Sequence, residues 1–175
     1  HSNITANGNV NISGTLDNPK LKGKVNIADI SMKDMEFELS NIIAHLNGQG
    51  ISGSGTAEKM KFGGIIASNI SANFALKDYT NFYLDNISAD CFSGKVHGQL
   101  SYNIPNFAFG TDIIGKGLNS MDAVYGAVGI PKALTGSLSF NAQLTGHGVT
   151  DVDIIKSLKG NINFGINDGR FVSIG

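Results

Sequence analysis

The sequence predicts an all-β fold of antiparallel strands, with two short helices late in the chain. Apolar and polar residues alternate over most of residues 4–110, which is the pattern of strands that have one apolar and one polar face. Glycine, asparagine and serine are abundant, while only 3 prolines and no tryptophan are present, and this composition suits strands joined by tight turns. The alternation gives way to a helical period only after residue 111.

Glycine-led segments mark several of the predicted strands. In five places a glycine is followed by a variable residue and then by Val, Leu or Ile, starting at Gly8, Gly23, Gly94, Gly136 and Gly160. We expect each glycine to let the chain bend into a strand whose alternating residues form an apolar face. About a dozen strands of roughly five to eight residues, with short connections, predict a meander, since parallel pairing requires crossover helices that the first part of the chain lacks.

Turn signals separate these segments. Asn7-Gly8 and Asn47-Gly48 are dipeptides typical of β-hairpins. The run Asp17-Asn18-Pro19 and the residue Asp78 indicate further breaks.

Two helices are predicted by apolar residues that recur at helical spacing. The first spans 120–128, with Ser120 as its N-cap and Gly129 and Pro131 ending it. The second spans 151–158, begins at the cap Thr150, and carries acidic residues in its first turn. Its apolar face consists of Val152, Ile155 and Leu158.

Composition limits the possible functions. With 13 basic and 14 acidic residues among 175, the chain has no charge excess for nucleic acid or for a polybasic membrane anchor. The length suits a single domain over 1–175. The lone Cys91 cannot form an internal disulfide, and we expect a small buried side chain whose neighbours raise its pKa. No apolar run reaches the ~20 residues that cross a bilayer, and since the first residues already follow a strand pattern, we expect no signal peptide among them. We therefore expect a fragment of a longer protein, with targeting signals outside it.

No group of residues in the sequence predicts catalysis. The four histidines, at 1, 45, 97 and 147, are too scattered for a metal site on one helix or hairpin, and His97 is expected on the polar face. The glycine spacing from Gly48 to Gly53 lacks the long helix that a dinucleotide site requires. We therefore expect no enzymatic activity, no cofactor and no metal.

The apolar face of the strands is the remaining candidate site. It can be the core of a closed β-sandwich or an open groove for lipid chains. Pattern alone favours the sandwich core. The residues predicted to line this face are Val25, Ile27, Phe37, Leu39, Phe74, Leu76, Val96, Leu100, Leu138, Phe140, Leu144, Ile162, Phe164 and Ile166.

The last part of the chain resembles the C-terminal region of AsmA-family proteins. The stretches 134–150 and 155–170 show a glycine-led strand, a polar turn, a short helix and a strand closing on Asp-Gly. These elements are Gly146-His-Gly148, Ser157-Leu-Lys-Gly160 and Asp168-Gly169. Upstream, Leu16-Asp-Asn-Pro-Lys-Leu-Lys-Gly23 resembles segments of AsmA and TamB relatives.

The resemblance implies a Gram-negative cell-envelope protein that is anchored in the inner membrane by a helix outside this sequence and extends through the periplasm. Such proteins are thought to form long curled sheets that carry phospholipid toward the outer membrane and support its biogenesis. No catalytic residue is carried over. Only Gly160, Asp168 and Gly169 correspond with the family pattern, in a structural role at turns.

With the resemblance, the expected fold is an elongated, curled antiparallel sheet, a β-groove with the helices near its concave face. The alternative is the closed β-sandwich. The expected function is to bind or conduct lipid, with phospholipid acyl chains as the partner. The alternative is an assembly module that recruits another envelope protein by strand addition.

Overall fold

The described residues form one open antiparallel sheet. The structure, a computed structural model, describes residues 2–130 and 134–171, with side chains from residue 4 onward. Ten strands pair consecutively from β1 to β10, and within these residues the first and last strands are not joined. The prediction of a curled antiparallel sheet is confirmed and the closed sandwich is wrong. The strands are β1 (Ser2–Gly14), β2 (Pro19–Met32), β3 (Phe37–Asn47), β4 (Ile51–Phe62), β5 (Ile65–Lys77), β6 (Asn81–Cys91), β7 (Gly94–Asn103), β8 (Ala108–Asn119), β9 (Ser137–His147) and β10 (Lys159–Asn167).

The strands are longer and fewer than expected, because β-bulges interrupt the alternation without ending the strand. Ten strands of 9–14 residues replace the dozen short ones. Asn41, Asn69 and Asn86 each adopt φ +51° within a strand, and each is followed by isoleucine. The strand pairing shifts register around Asn69 and Asn86. Since asparagine tolerates the left-handed conformation, it accommodates the extra residue, and the apolar spacing lengthens locally from two to three.

The predicted turns are confirmed except for one. Thr15 and Asn18 exchange backbone hydrogen bonds in the β1–β2 turn, and Gly48 follows the end of β3 with φ +82°. Asp78 lies in the β5–β6 turn with φ +56°. The Asn7-Gly8 prediction is wrong, because this dipeptide lies inside β1 and pairs with β2, Gly8 being opposite Val25. Long-range pairing here outweighs the local turn preference.

The helix α1 spans Ser120–Val128, as predicted, but its N-cap is Asn119 and not Ser120. The Asn119 side chain accepts a hydrogen bond from the Asp122 N–H at 3.0 Å. Ser120 is fully buried, and its Oγ has no partner among the described residues. Gly129 ends the helix in the left-handed conformation, φ +71°, while Pro131 lies outside the described residues.

The helix α2 spans Asp151–Ser157, one residue shorter than predicted, with Leu158 as its C-cap. The predicted cap is confirmed, since Thr150 Oγ1 accepts a hydrogen bond from the Asp153 N–H at 3.2 Å. The apolar stripe of the helix is exposed instead of packed, with Ile155 at 66% exposure. The reason is that α2 is attached to β9 through its polar edge, where Ser157 Oγ donates to the His147 carbonyl at 2.8 Å.

The helices lie at opposite ends of the strands, as follows from their connections. The helix α1 joins β8 to β9 and packs on the β4–β5 turn, where a Cβ added at Gly126 would lie 2.6 Å from the Gly64 carbonyl oxygen. The helix α2 joins β9 to β10 at the other end. Neither helix in the described part of the chain has the length and apolar character needed to cross a membrane.

The interior is thin. Apart from Leu118, the buried apolar residues are small ones, namely Ala57, Ala67, Ala89, Cys91, Ala123 and Ala142. The other large apolar side chains are half-buried or exposed, because the sheet is a single layer and no second layer covers them.

Candidate functional site: the apolar face of the sheet

Strand register places all fourteen predicted lining residues on one face. Residues directly opposite each other in antiparallel strands share a face. One row crosses four strands through Val96, Gly115, Phe140 and Phe164. Parallel rows connect the other predicted residues through the same pairing, after allowance for the bulges. We call this surface the apolar face and the opposite one the polar face.

The exposure of these side chains indicates curvature toward the apolar face. Twelve of the fourteen are half-buried, although no second sheet covers them. The two exceptions lie on the edge strand β10, where Ile162 is 58% and Phe164 70% exposed. Half-burial in a single layer fits a curled sheet, on whose concave side neighbouring side chains converge. The apolar face is therefore a trough that opens to solvent.

Two glycines of the apolar face lie directly opposite aromatic residues. Gly115 pairs with Phe140, and a Cβ added at Gly115 would overlap the phenylalanine ring. Gly146 pairs with Phe109 in the same way, with an added Cβ 2.8 Å from the ring. Each ring thus covers the backbone of the neighbouring strand.

The best-packed part of the apolar face surrounds Cys91. It forms a buried cluster with Ala67 and Ala89, against which larger apolar side chains pack. Burial raises the pKa of the Cys91 thiol, so the predicted direction is confirmed, but the cause is desolvation and not the neighbouring residues. The adjacent Asp90 faces away and has a lowered pKa, because it accepts a hydrogen bond from Lys95. Cys91 is therefore a packing residue.

Charge is segregated between the two faces. Within the described strands, the register assigns no charged residue to the apolar face, whereas Lys59, Asp85, Asp112 and Lys159 all lie on the polar face. His97 pairs with Ser88 and is exposed, as expected for the polar face. The described residues contain no group of three or more His, Cys, Asp or Glu that could hold a metal ion. The apolar face therefore offers burial of hydrocarbon.

Of the three residues expected at turns, Gly160 lies within β10, whereas Asp168 and Gly169 follow the end of this strand. Gly160 is the second residue of β10 and lies opposite Leu144 on the apolar face. Its φ is +145°, and an added Cβ would overlap the Gln143 carbonyl oxygen, so a side chain at this position would be strained. Asp168, with φ +56°, and Gly169 follow the end of β10.

Several residues of the apolar face were missed in the sequence. Phe62 and Phe82 lie in line with Phe37 and Leu76, respectively, and Phe109 lies opposite Tyr102. They occupy strand ends, where too few alternating residues remain to distinguish the strand from the adjoining turn. The usable signal is the alternation itself, since Phe62 follows Met60 and Phe82 precedes Leu84 at a spacing of two.

Comparisons of the chain with family models, with curated proteins and with solved structures found no match.

Proposed function

We propose that the chain is a non-enzymatic lipid-binding segment whose apolar face holds the acyl chains of phospholipids. The observation that carries the proposal is a continuous uncharged face, concave and open to solvent, which crosses the sheet from β2 to β10. A continuous exposed apolar surface is typical of a binding site.

The dimensions suit an acyl chain. The nine strands from β2 to β10 give eight spacings of about 4.8 Å, so the trough is roughly 38 Å long across the strands. One leaflet of a bilayer has a hydrocarbon thickness of about 15 Å, half of the ~30 Å core. An extended acyl chain therefore fits along the trough with space for a second one beyond it, and the headgroup remains at the solvent-exposed opening.

The energetics suit transport as well as storage. Each methylene buried contributes about 0.8 kcal/mol, which accumulates to substantial affinity over an acyl chain. Hydrophobic contact is non-directional, and the described apolar face has no charged group to fix the ligand at one place. A chain can thus slide along the trough with little change in free energy.

The resemblance to AsmA-family proteins supports a more specific role. On this proposal the full-length protein is tethered to the inner membrane, and this segment lies in the periplasm and conducts phospholipid for outer-membrane biogenesis. The resemblance rests on the motifs at Gly146-His-Gly148, Ser157–Gly160 and Asp168-Gly169.

Native mass spectrometry tests lipid binding directly. The chain is expressed in a Gram-negative host, purified without harsh detergent and sprayed intact. We expect added masses that correspond to phospholipids and that disappear after organic extraction. A lipid-free chain that also takes up no phospholipid from added vesicles would contradict the proposal.

A second candidate function is strand addition, which the two free sheet edges favour. The strand β1 has 13 residues and β10 has 9, and each is paired along one side within the described residues. Such edges provide backbone donors and acceptors for an added strand. A lipid-free chain whose β1 or β10 amides become protected from hydrogen exchange on addition of an envelope extract would favour this function over lipid binding.

A further inference from the structure

A second candidate site lies on the polar face, on the other side of the sheet from the proposed lipid trough. A cavity of about 560 Å³ opens there across β6 to β10. Four strand spacings make it roughly 19 Å long, and its volume lies within the ~300–1,000 Å³ typical of ligand sites. Within the described residues, β6 to β9 are paired on both sides and β10 on one, so recognition of a ligand depends mainly on side chains.

Differences in side-chain size shape this cavity. One cross-strand row runs through Tyr83, Ser101, Gly110, Thr145 and Lys159, each directly opposite the next. The three central residues are small and the two end residues are long, so the row forms a floor between two walls. A Cβ added at Gly110 would lie 3.3 Å from Ser101 Oγ and 3.9 Å from Thr145 Cγ2, which places the glycine at the centre of the floor.

The neighbouring row supplies polar groups of one geometric type. Asp85, Gln99, Asp112, Gln143 and Asn161 line the same cavity, and carboxylates alternate with amides along part of this row. The amide of Gln99 donates to the Asp112 carboxylate at 2.8 Å, which orients both groups. Each of these five side chains ends in a planar group, and each amide presents a donor and an acceptor in one plane.

We propose that this trough binds a neutral oligosaccharide. Neighbouring hydroxyls of a sugar match the paired oxygen and nitrogen atoms of planar carboxylate and amide groups. At one end, the Tyr83 ring provides an apolar surface for the C–H groups of a sugar ring. The Lys77 ammonium lies 5.4 Å from the centre of that ring, within the range of a cation–π contact that stabilises its position.

Charge and composition argue against other ligand classes. Two carboxylates, Asp85 and Asp112, face one ammonium, Lys159, so a phosphate or nucleic acid is repelled by the centre of the row. A polyamine would use only the carboxylates and leave the amides and hydroxyls of the floor without a role. An oligosaccharide engages all of them, and a cavity that spans five strands suits several sugar rings in sequence.

The polar side chains that define this site project from the face opposite the lipid trough, so sugar binding is tested separately from lipid binding. Leu100 and Leu144 also border the cavity, but register places their side chains on the apolar face. Titration with three neutral trisaccharides, maltotriose, cellotriose and chitotriose in its N-acetylated form, tests sugar binding. Binding is followed by backbone amide shifts in ¹H–¹⁵N NMR spectra. We expect saturable shifts with at least one trisaccharide, confined to β6–β10 and centred on Ser101, Gly110 and Thr145.

Two variants localise the site. Gly110→Val fills the floor, and we expect it to weaken trisaccharide binding at least 10-fold while the strand is retained, since valine favours extended backbone. The matched control is Gly165→Val. Gly165 lies on the polar face of β10 outside the cavity, and a Cβ added there has nothing within 4 Å, so this variant should bind the trisaccharide normally. If Gly110→Val does not fold, Gln143→Leu removes one exposed amide and should also weaken binding.

Three results would overturn the inference. They are the absence of shifts with all three trisaccharides, shifts with spermidine but with none of the sugars, and normal sugar binding by both Gly110→Val and Gln143→Leu.

Discussion

Replacing Phe164 by glutamate separates lipid binding from folding more sharply than any other single change. Phe164 lies on the apolar face at the edge strand β10 and is 70% exposed. It lies directly opposite the half-buried Phe140 of the neighbouring strand β9. A glutamate at this position is solvated when the trough is empty, so no unpaired charge is buried. Loss of the cross-strand pair costs about 1 kcal/mol, and the protein should still unfold cooperatively.

The loss of lipid affinity follows from the exposed area of the ring. A phenylalanine side chain presents about 200 Å², of which the exposed 70% amounts to about 140 Å². An acyl chain lying on one side of the ring covers about half of this, roughly 70 Å², which is worth about 1.7 kcal/mol at ~25 cal/mol per Å². Phe164→Glu should therefore weaken acyl-chain binding about 20-fold, and more where the carboxylate has to lose water.

The measurement is displacement of a fluorescent fatty acid, combined with urea unfolding of the same preparations. The matched control is Ile114→Glu, which places the same charge on an apolar residue of the polar face that is 43% exposed. We expect the control to keep wild-type affinity. Wild-type affinity in Phe164→Glu, or an equal loss in both variants, would refute the assignment of the trough to acyl chains.

Three further changes test the fold around the site. Gly115→Ala inserts a Cβ into the Phe140 ring and should lower the free energy of unfolding by about 1–3 kcal/mol in urea titrations; unchanged stability would show that the ring does not cover this glycine. Asn86→Val forces a β-branched residue into the left-handed conformation and should cost at least about 1–2 kcal/mol, whereas Asn86→Gly should not, and equal effects of the two would argue against the bulge. Asp90 has a lowered pKa because Lys95 donates a hydrogen bond to it, so its contribution to stability is present above the ordinary pKa of about 3.9 and is lost as the pH falls through the lowered value. The urea midpoint of Asp90→Asn should accordingly fall less between neutral pH and about pH 2 than that of the wild type, and parallel pH profiles would contradict this role.

The elements with strictly local signals could be read from the sequence. The helix α1 has apolar residues at regular spacing and a glycine at its end, and its bounds match the prediction. The helix α2 has a threonine cap and matches to within one residue. The alternation in β9 and β10 is uninterrupted, so Leu138, Phe140 and Ile162 were correctly assigned to one face. Local periodicity is sufficient wherever no bulge intervenes.

Features that depend on pairing between strands could not be predicted from the sequence. The left-handed residues Asn41, Asn69 and Asn86 lie inside strands where the apolar spacing changes from two to three, so simple alternation does not predict the full length of these strands. Asn7-Gly8 does not form a turn, because β1 continues through this dipeptide and pairs with β2 from one end to the other. The polar cavity combines side chains from five strands, and their alignment is fixed by register, which the sequence does not specify residue by residue.

Photo-crosslinking with a phospholipid that carries a diazirine on its acyl chain tests the central claim most directly. After irradiation, peptide mass spectrometry identifies the labelled residues. Acyl chains in the trough should label apolar-face residues such as Val96, Leu100 and Phe140, and spare Ile66 and Ile114, which are exposed apolar residues of the polar face. Equal labelling of the two faces, or labelling confined to the exposed stripe of α2, would contradict the claim.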